Sequence, residues 1–296
     1  MANILITGAG GFIGSHLADD LSKDNKVLGL GNFCHEYKYK GSYDIFYGDV
    51  RYLEDVERYI EDCDIVYHLA AQINVDKSIE YPQETLDINL QGTKNILDCS
   101  VKYKKKVVFA SSSEVYGGHD GKISETSETK AQSPYAIAKL AADKLCQNYH
   151  NLYGLEVYIL RCFNTFGPRQ SGSRFGAVIP KFAEMIKNDT PPTIFGSGEQ
   201  RRDYIYVSDV VSAYRLIPTI KELAGQPINV ATGVSHSINE IAEMIIKMLG
   251  KNIVPVHDKS RGGEVSKLEA DISKILSYGW RPKVTFEQGL RRYLCQ

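Results

Sequence analysis

The chain has 296 residues, enough for a substantial core, and its 35 lysines and arginines stand against 36 aspartates and glutamates for a net charge of -1. That balance leaves no basic excess for nucleic acid or an anionic membrane, and no apolar run approaches a membrane span. Cys34, Cys63, Cys99, Cys146, Cys162 and Cys295 form no C-x-x-C pair and no H-E-x-x-H occurs, so neither a metal site nor a disulfide framework is expected.

The first apolar run is too short for a secretory signal, and the expected location is cytoplasmic. In chain order, residues 3–7 read as a strand, 12–23 as a helix, 26–30 and 44–47 as strands, and 56–60 as a short helix. Residues 65–69 read as a strand, 84–103 as one long helix and 107–110 as a strand. A polar loop over 117–132 delivers the chain to a helix at 134–153 and a strand at 157–161. Strands alternating with helices of this length predict right-handed crossovers and a doubly wound parallel α/β sheet of the Rossmann type. Past residue 165 the pattern loosens. A Ser/Gly stretch at 171–176 precedes a helix at 178–187, a strand at 193–195 and a helix at 207–217. Residues 227–231 are strand-like, 238–249 helical, and 271–294 form a terminal segment. The expected organisation is a dinucleotide-binding domain over 1–165 and a smaller, mixed α/β substrate lobe over 166–296, with part of 200–220 packing back on the first domain.

Thr7-Gly8-Ala9-Gly10-Gly11-Phe12-Ile13-Gly14 follows the first strand. Gly8, Gly11 and Gly14 suit a tight turn, a close approach of backbone to a pyrophosphate, and close packing of helix on strand. Phe12 and Ile13 open the helix whose free N–H groups face the phosphates. Such cradles usually carry a carboxylate at the end of the second strand for the adenosine ribose, and here Gly31-Asn32 stands there. Asn32 can still bond a ribose hydroxyl, while Lys38 or Lys40 would tolerate a 2′-phosphate. Asp49, with Val50 after it, suits the adenine amino group. NAD is the expected cofactor over NADP.

Ser111, Ser112, Ser113 and Glu114 cluster where the strand at 107–110 ends, the position at which ligands meet such sheets. Tyr135 and Lys139, one helical turn apart, share a helix face, so that the ammonium favours the phenolate. A phenolate beside a nicotinamide takes the hydroxyl proton of an alcohol while hydride leaves its carbon. The motifs together predict alcohol–ketone redox chemistry.

The sequence resembles the extended short-chain dehydrogenase/reductases, in particular the NAD-dependent nucleotide-sugar epimerases and dehydratases. The resemblance rests on the glycine turn, Gly48-Asp49-Val50, Leu69-Ala70-Ala71, Asn89 with Gly92-Thr93, the serine strand and Tyr135/Lys139. It continues through Arg161-Cys162-Phe163-Asn164, Arg202-Asp203-Tyr204, Arg261-Gly262-Gly263-Glu264 and Gly279-Trp280-Arg281-Pro282. It implies that Leu69, Ala70, Ala71, Asn89 and Ser111 join the cofactor site. It further implies that Asn164, Arg202 and Arg261 hold the substrate diphosphate, and that Ala177 and Val178 pass beside the nucleobase. The long helices would pair across a two-fold axis in a homodimer. The substrate would be a nucleotide-diphosphate sugar oxidised at C4. Glu114 sits where 4,6-dehydratases carry a glutamate and many 4-epimerases a small residue, while the loop at 196–200 resembles epimerases as much. The expected reaction is therefore 4,6-dehydration, with 4-epimerisation as the alternative and a non-catalytic NAD(H)-binding regulator as a remote one.

Overall fold

The computed structural model describes residues 1–32, 41, 43–119, 121–170, 177–259 and 266–295. Six strands, β1 (Asn3–Thr7), β2 (Lys26–Gly31), β3 (Asp44–Tyr47), β4 (Ile65–His68), β5 (Lys106–Ser112) and β6 (Val157–Cys162), pair in parallel. With Pro227–Val230 at one edge, the sheet runs Pro227–Val230, β6, β5, β4, β1, β2, β3. The order reverses between β1 and β4, which opens a crevice at their carboxyl ends. Ile4, Leu5 and Ile6 are all buried, as a strand covered on both faces requires. The core of this part packs Leu5, Leu30, Val66, Val107 and Ile159 against helix residues such as Val56 and Ile96.

Helix Pro134–Tyr153 matches its expected bounds because its ends are strongly signalled. Ser133 caps it by accepting from Ala136 N (3.1 Å), proline opens it, and Gly154 closes it at φ 65. The single helix expected over 84–103 is three pieces: Pro82–Leu86, a π-helical turn Asp87–Gln91, and Gly92–Lys102. The π turn presents Asn89 to the segment after β4, and Gly92 lets the helix approach Val50, whose Cγ2 a Cβ there would meet at 2.6 Å. A short helix, Val75–Glu80, also escaped the sequence reading; Asn74 caps it by accepting from Lys77 N (2.6 Å).

The chain divides into two compact units. One comprises Met1–Val115, Ala131–Cys162 and Val211–Ile228, the other Tyr116–Lys130, Phe163–Val210 and Asn229–Gln296. Within the first, Arg215 donates to Asp20 (3.1 Å). In the second, Arg201–Tyr206 pairs in parallel with Asn164–Phe166 and Lys267–Leu268 and antiparallel with Ser235–Ser237. Thr193–Phe195 pairs with Val256–Asp258 in a separate two-stranded sheet. Among the described residues no helix is long and apolar enough to cross a membrane.

Candidate active site

Two glycines of the turn leave no room for a side chain. A Cβ on Gly14 would stand 2.2 Å from Gly8 O, and one on Gly8, at φ +73, 2.8 Å from Ala70 N. Gly11 precedes helix Phe12–Leu21 with no side-chain cap, so the leading amides at Phe12, Ile13 and Gly14 are offered to a ligand at the carboxyl end of β1.

A buried polar chain fixes the wall beside that turn. Thr93 donates to Asn89 O (2.7 Å), so its oxygen accepts from His68 Nε2 (3.0 Å). His68 Nδ1 is then the acceptor for the Thr7 hydroxyl (2.8 Å), which itself accepts from Ala70 N (3.2 Å). Burial pulls His68 down to about 3, in keeping with a neutral ring. Asn89 closes the chain by accepting from Gln72 N and donating to Gln72 O, both at 2.8 Å. Asn89 was expected at the cofactor; the structure directs both ends of its amide to the backbone that follows Leu69, Ala70 and Ala71. Thr7 and Thr93 stand in the quoted motifs, but no role was read for them or for His68, since a lone buried His between two hydroxyls carries no spacing signal.

The carboxylate of Asp49, expected to suit the adenine amino group, is forked by Arg51 (Nε–Oδ1 3.0 Å, Nη2–Oδ2 2.6 Å) and takes a further bond from Asn32 Nδ2 (3.2 Å). Burial alone would raise its pKa, but these donors outweigh it and hold the carboxyl below its ordinary value. Arg51, two residues along the chain, was missed although it stands beside Asp49 in the motif. Val50 is buried, and its carbonyl accepts from Asn95 Nδ2 (2.9 Å).

At the end of β5, Ser111, Ser112 and Ser113 are buried, and Glu114 lies half-buried in the 3-10 turn Ser113–Tyr116. Ser112 Oγ accepts from Glu114 N (3.2 Å) and its hydroxyl bonds the phenol of Tyr135. Burial pushes that phenol up to about 12; Ser112 pulls it down, and the charge of Glu114 and the thiol of Cys162 push it further up. Lys139 donates to Ala110 O (2.8 Å) and stands 5.0 Å from the Phe109 ring centre. Burial pulls its ammonium down to about 8 while Asp143 works the other way. This corrects the expected picture of a phenol held low by its lysine. Desolvation dominates at both groups, and the hydrogen bond of Lys139 goes to the β5 carbonyl.

In the second unit, Asn164, Ala177, Val178 and Arg202 line one cavity of about 320 Å³, with Gln170 and Tyr204. Asn164 Oδ1 and Gln170 Oε1 are buried there with no hydrogen-bond partner. Such orphans are costly unless a ligand satisfies them. Arg202 donates to Arg201 O (2.9 Å). Arg261 and the stretch 171–176 lie outside the described residues, as do Lys38 and Lys40.

A family model described as GDP-mannose 4,6 dehydratase matches residues 5–293. The chain belongs to the extended short-chain dehydrogenase/reductases of the nucleotide-sugar epimerase/dehydratase type. Within that family it is 36% identical, over 98% of this chain and 96% of the relative, to a Methanocaldococcus jannaschii protein provisionally named a UDP-glucose 4-epimerase. The solved UDP-glucose 4-epimerase of Thermotoga maritima with UDP-glucose superposes at a TM-score of 0.94, with 31% identity, 99% of this chain and 97% of that chain covered. The dTDP-glucose 4,6-dehydratase of Streptomyces venezuelae, solved with NAD, superposes at 0.92, with 28% identity and 99% and 96% covered. The seven-stranded sheet is thus the family's Rossmann-like fold, as the sequence led us to expect.

Proposed function

We propose that the chain is an NAD-dependent 4,6-dehydratase of a nucleotide-diphosphate sugar. The glycine turn fits NAD, since Gly8 and Gly14 pack backbone against backbone with no space for a Cβ and the helix that follows offers uncapped amides. Bound there, NAD would supply a hydride acceptor toward C4 of the sugar and a hydride donor toward C6 for dehydration or C4 for epimerisation.

The residues of the chain do the rest. Tyr135 takes the C4 hydroxyl proton, held in place by Ser112. Glu114 removes the C5 proton, which the new ketone acidifies, and passes it to the departing C6 hydroxyl, which leaves as water with Ser113 beside it. The observation that carries this reading is the place of Glu114, half-buried in the 3-10 turn directly after Ser112 and near enough to Tyr135 for its charge to be felt there. An anion beside a phenol that must ionise hinders the first step. A reaction that only inverts C4 gains nothing from it, whereas one that must strip a C5 proton requires a carboxylate there.

The alternative, 4-epimerisation, is supported by the names of several relatives, as dehydration is by those of others. Incubation with UDP-GlcNAc, UDP-glucose, dTDP-glucose and GDP-mannose decides between them: a 4-keto-6-deoxy product is expected, and clean C4 inversion without loss of water would install the epimerase. The cavity at Asn164 and Arg202 is assigned to the nucleotide diphosphate, Arg261 being part of the same proposal. A homodimer through helix Pro134–Tyr153, whose Ile137, Leu152 and Tyr153 are exposed, belongs to it too.

The cradle itself is tested by Gly14→Ala. A clash of 2.2 Å with a backbone oxygen cannot be relieved by turning a side chain. NAD affinity should fall by at least about tenfold, which about 1.4 kcal/mol suffices to produce. Calorimetry showing unchanged affinity would remove this turn from the cofactor site.

A further inference from the structure

We propose that the cofactor site takes NADP as well as NAD: the side chain that would turn away a 2′-phosphate is missing at Gly31, and the Arg51 guanidinium stands close by to receive one. The proposal rests on the glycine turn being the dinucleotide cradle. In such cradles the end of the second strand faces the adenosine ribose. A carboxylate there bonds the 2′-hydroxyl and repels a 2′-phosphate, whereas a nearby arginine accommodates one.

Strand β2 carries Gly29 and Gly31 on one face, and their surroundings differ. A Cβ on Gly29 would stand 2.8 Å from the Ala9 Cβ and 2.9 Å from Ile45 Cγ1, so packing against the glycine turn and β3 excludes a side chain. A Cβ on Gly31 would meet nothing within 4 Å among the described residues, and its φ is not positive. Neither packing nor backbone geometry requires glycine there. The strand stays paired to its end, since Gly31 O accepts from Gly48 N (3.1 Å). A glycine that weakens a strand without such a reason commonly marks the close approach of a ligand.

The polar groups around the strand end point the same way. Asn32, next in the chain, donates from Nδ2 to Asp49 Oδ2 (3.2 Å), and Arg51 Nη2 donates to that same oxygen (2.6 Å). The guanidinium thus reaches the atom on which the residue after Gly31 is anchored. Arg51 balances the charge of Asp49, while Asp55, a second carboxylate, accepts from Asp49 N (2.9 Å). Nε and Nη2 of Arg51 are engaged by Asp49, the side chain is 34% exposed, and Nη1 has no partner among the described residues. That edge suits a phosphate. The proposed reaction returns its hydride to the sugar, so its direction does not depend on which of the two dinucleotides is bound.

The test is a competition. Protein is equilibrated with NAD and NADP at equal concentrations in excess, and the nucleotides it carries are released and quantified by mass spectrometry, which reads the ratio of affinities without turnover. Wild type should carry at least about one NADP for every ten NAD. Gly31→Asp should cut that ratio by about tenfold or more, because the new carboxylate bonds the 2′-hydroxyl and repels the 2′-phosphate. Gly31→Ala, which adds a methyl group and no charge, should keep the ratio within about threefold of wild type. Arg51→Met should lower it, since the cation goes and Asp49 is laid bare. A wild type carrying less NADP than this, or a smaller effect of Gly31→Asp, overturns the proposal, as does an alanine variant that behaves like the aspartate one. An unchanged ratio in Arg51→Met overturns the part given to the guanidinium. If Gly31→Asp does not fold, the wild-type ratio decides alone. Protein that carries neither nucleotide would defeat the cradle itself, whereas protein that carries NAD alone defeats only this inference.

Discussion

Tyr135→Phe should leave a folded protein whose kcat on a nucleotide sugar is reduced by about 10²–10⁴-fold, the usual worth of a positioned acid–base group. The loss is expected to be confined to chemistry. The ring stays within its buried site, 8% exposed, and the hydroxyl removed is bonded to Ser112 rather than to the backbone of the helix. NAD affinity and the thermal midpoint should therefore stay close to wild type. The pH profile of the wild type carries a second check. Burial pushes the phenol up to about 12 in the protein alone. Its proton must leave for C4 oxidation to begin, so the oxidation rate should climb with pH through the neutral range and level off only when the working pKa is passed. That climb, and its absence in Tyr135→Phe, are measured by the pH dependence of NADH formation on rapid mixing with substrate. A Phe variant retaining more than a tenth of wild-type turnover would take Tyr135 out of the chemistry.

Glu114→Gln separates the two candidate reactions. In a dehydratase it should reduce formation of the 4-keto-6-deoxy sugar by about 10³-fold, because the C5 proton loses its acceptor. C4 oxidation should survive and even begin more readily, since the charge that pushes the Tyr135 phenol up has gone. The expected signature is bound NADH accumulating against a stalled 4-keto sugar, read by NADH fluorescence together with mass analysis of the released sugar. In a 4-epimerase the same substitution should leave inversion at C4 intact or faster. Full dehydration by the glutamine variant would dismiss Glu114 as the base.

Much of this molecule was legible in its residues. The glycine turn, the serine strand and the ends of helix Pro134–Tyr153 are written in local chemistry: glycines where a Cβ has no room, and a Ser133 cap, Pro134 and Gly154 where the helix begins and stops. What stayed hidden depends on partners far away in the chain. The π turn at Asp87–Gln91 preserves helical periodicity to the eye, and its reason, the grip of Asn89 on Gln72, appears only once β4 is in place. The fork of Arg51 on Asp49 was hidden by its nearness, because two charges one residue apart in a loop signal nothing by spacing. The pKa directions at Tyr135 and Lys139 were hidden for a third reason. Helical spacing says which groups are neighbours, but the depth of water exclusion around them is set by the whole sheet, and here it dominates.

The way the two units share the chain bears on how the protein is made. The polypeptide passes from one unit to the other after residues 115, 130, 162, 210 and 228. During synthesis helix Pro134–Tyr153 emerges well before Val211–Ile228, the last stretch its own unit needs. The nascent Rossmann sheet must therefore wait, short of an edge strand, until most of its neighbour has also left the ribosome. Release of a chain cut near residue 165 should yield an aggregation-prone fragment rather than a free-standing dinucleotide binder.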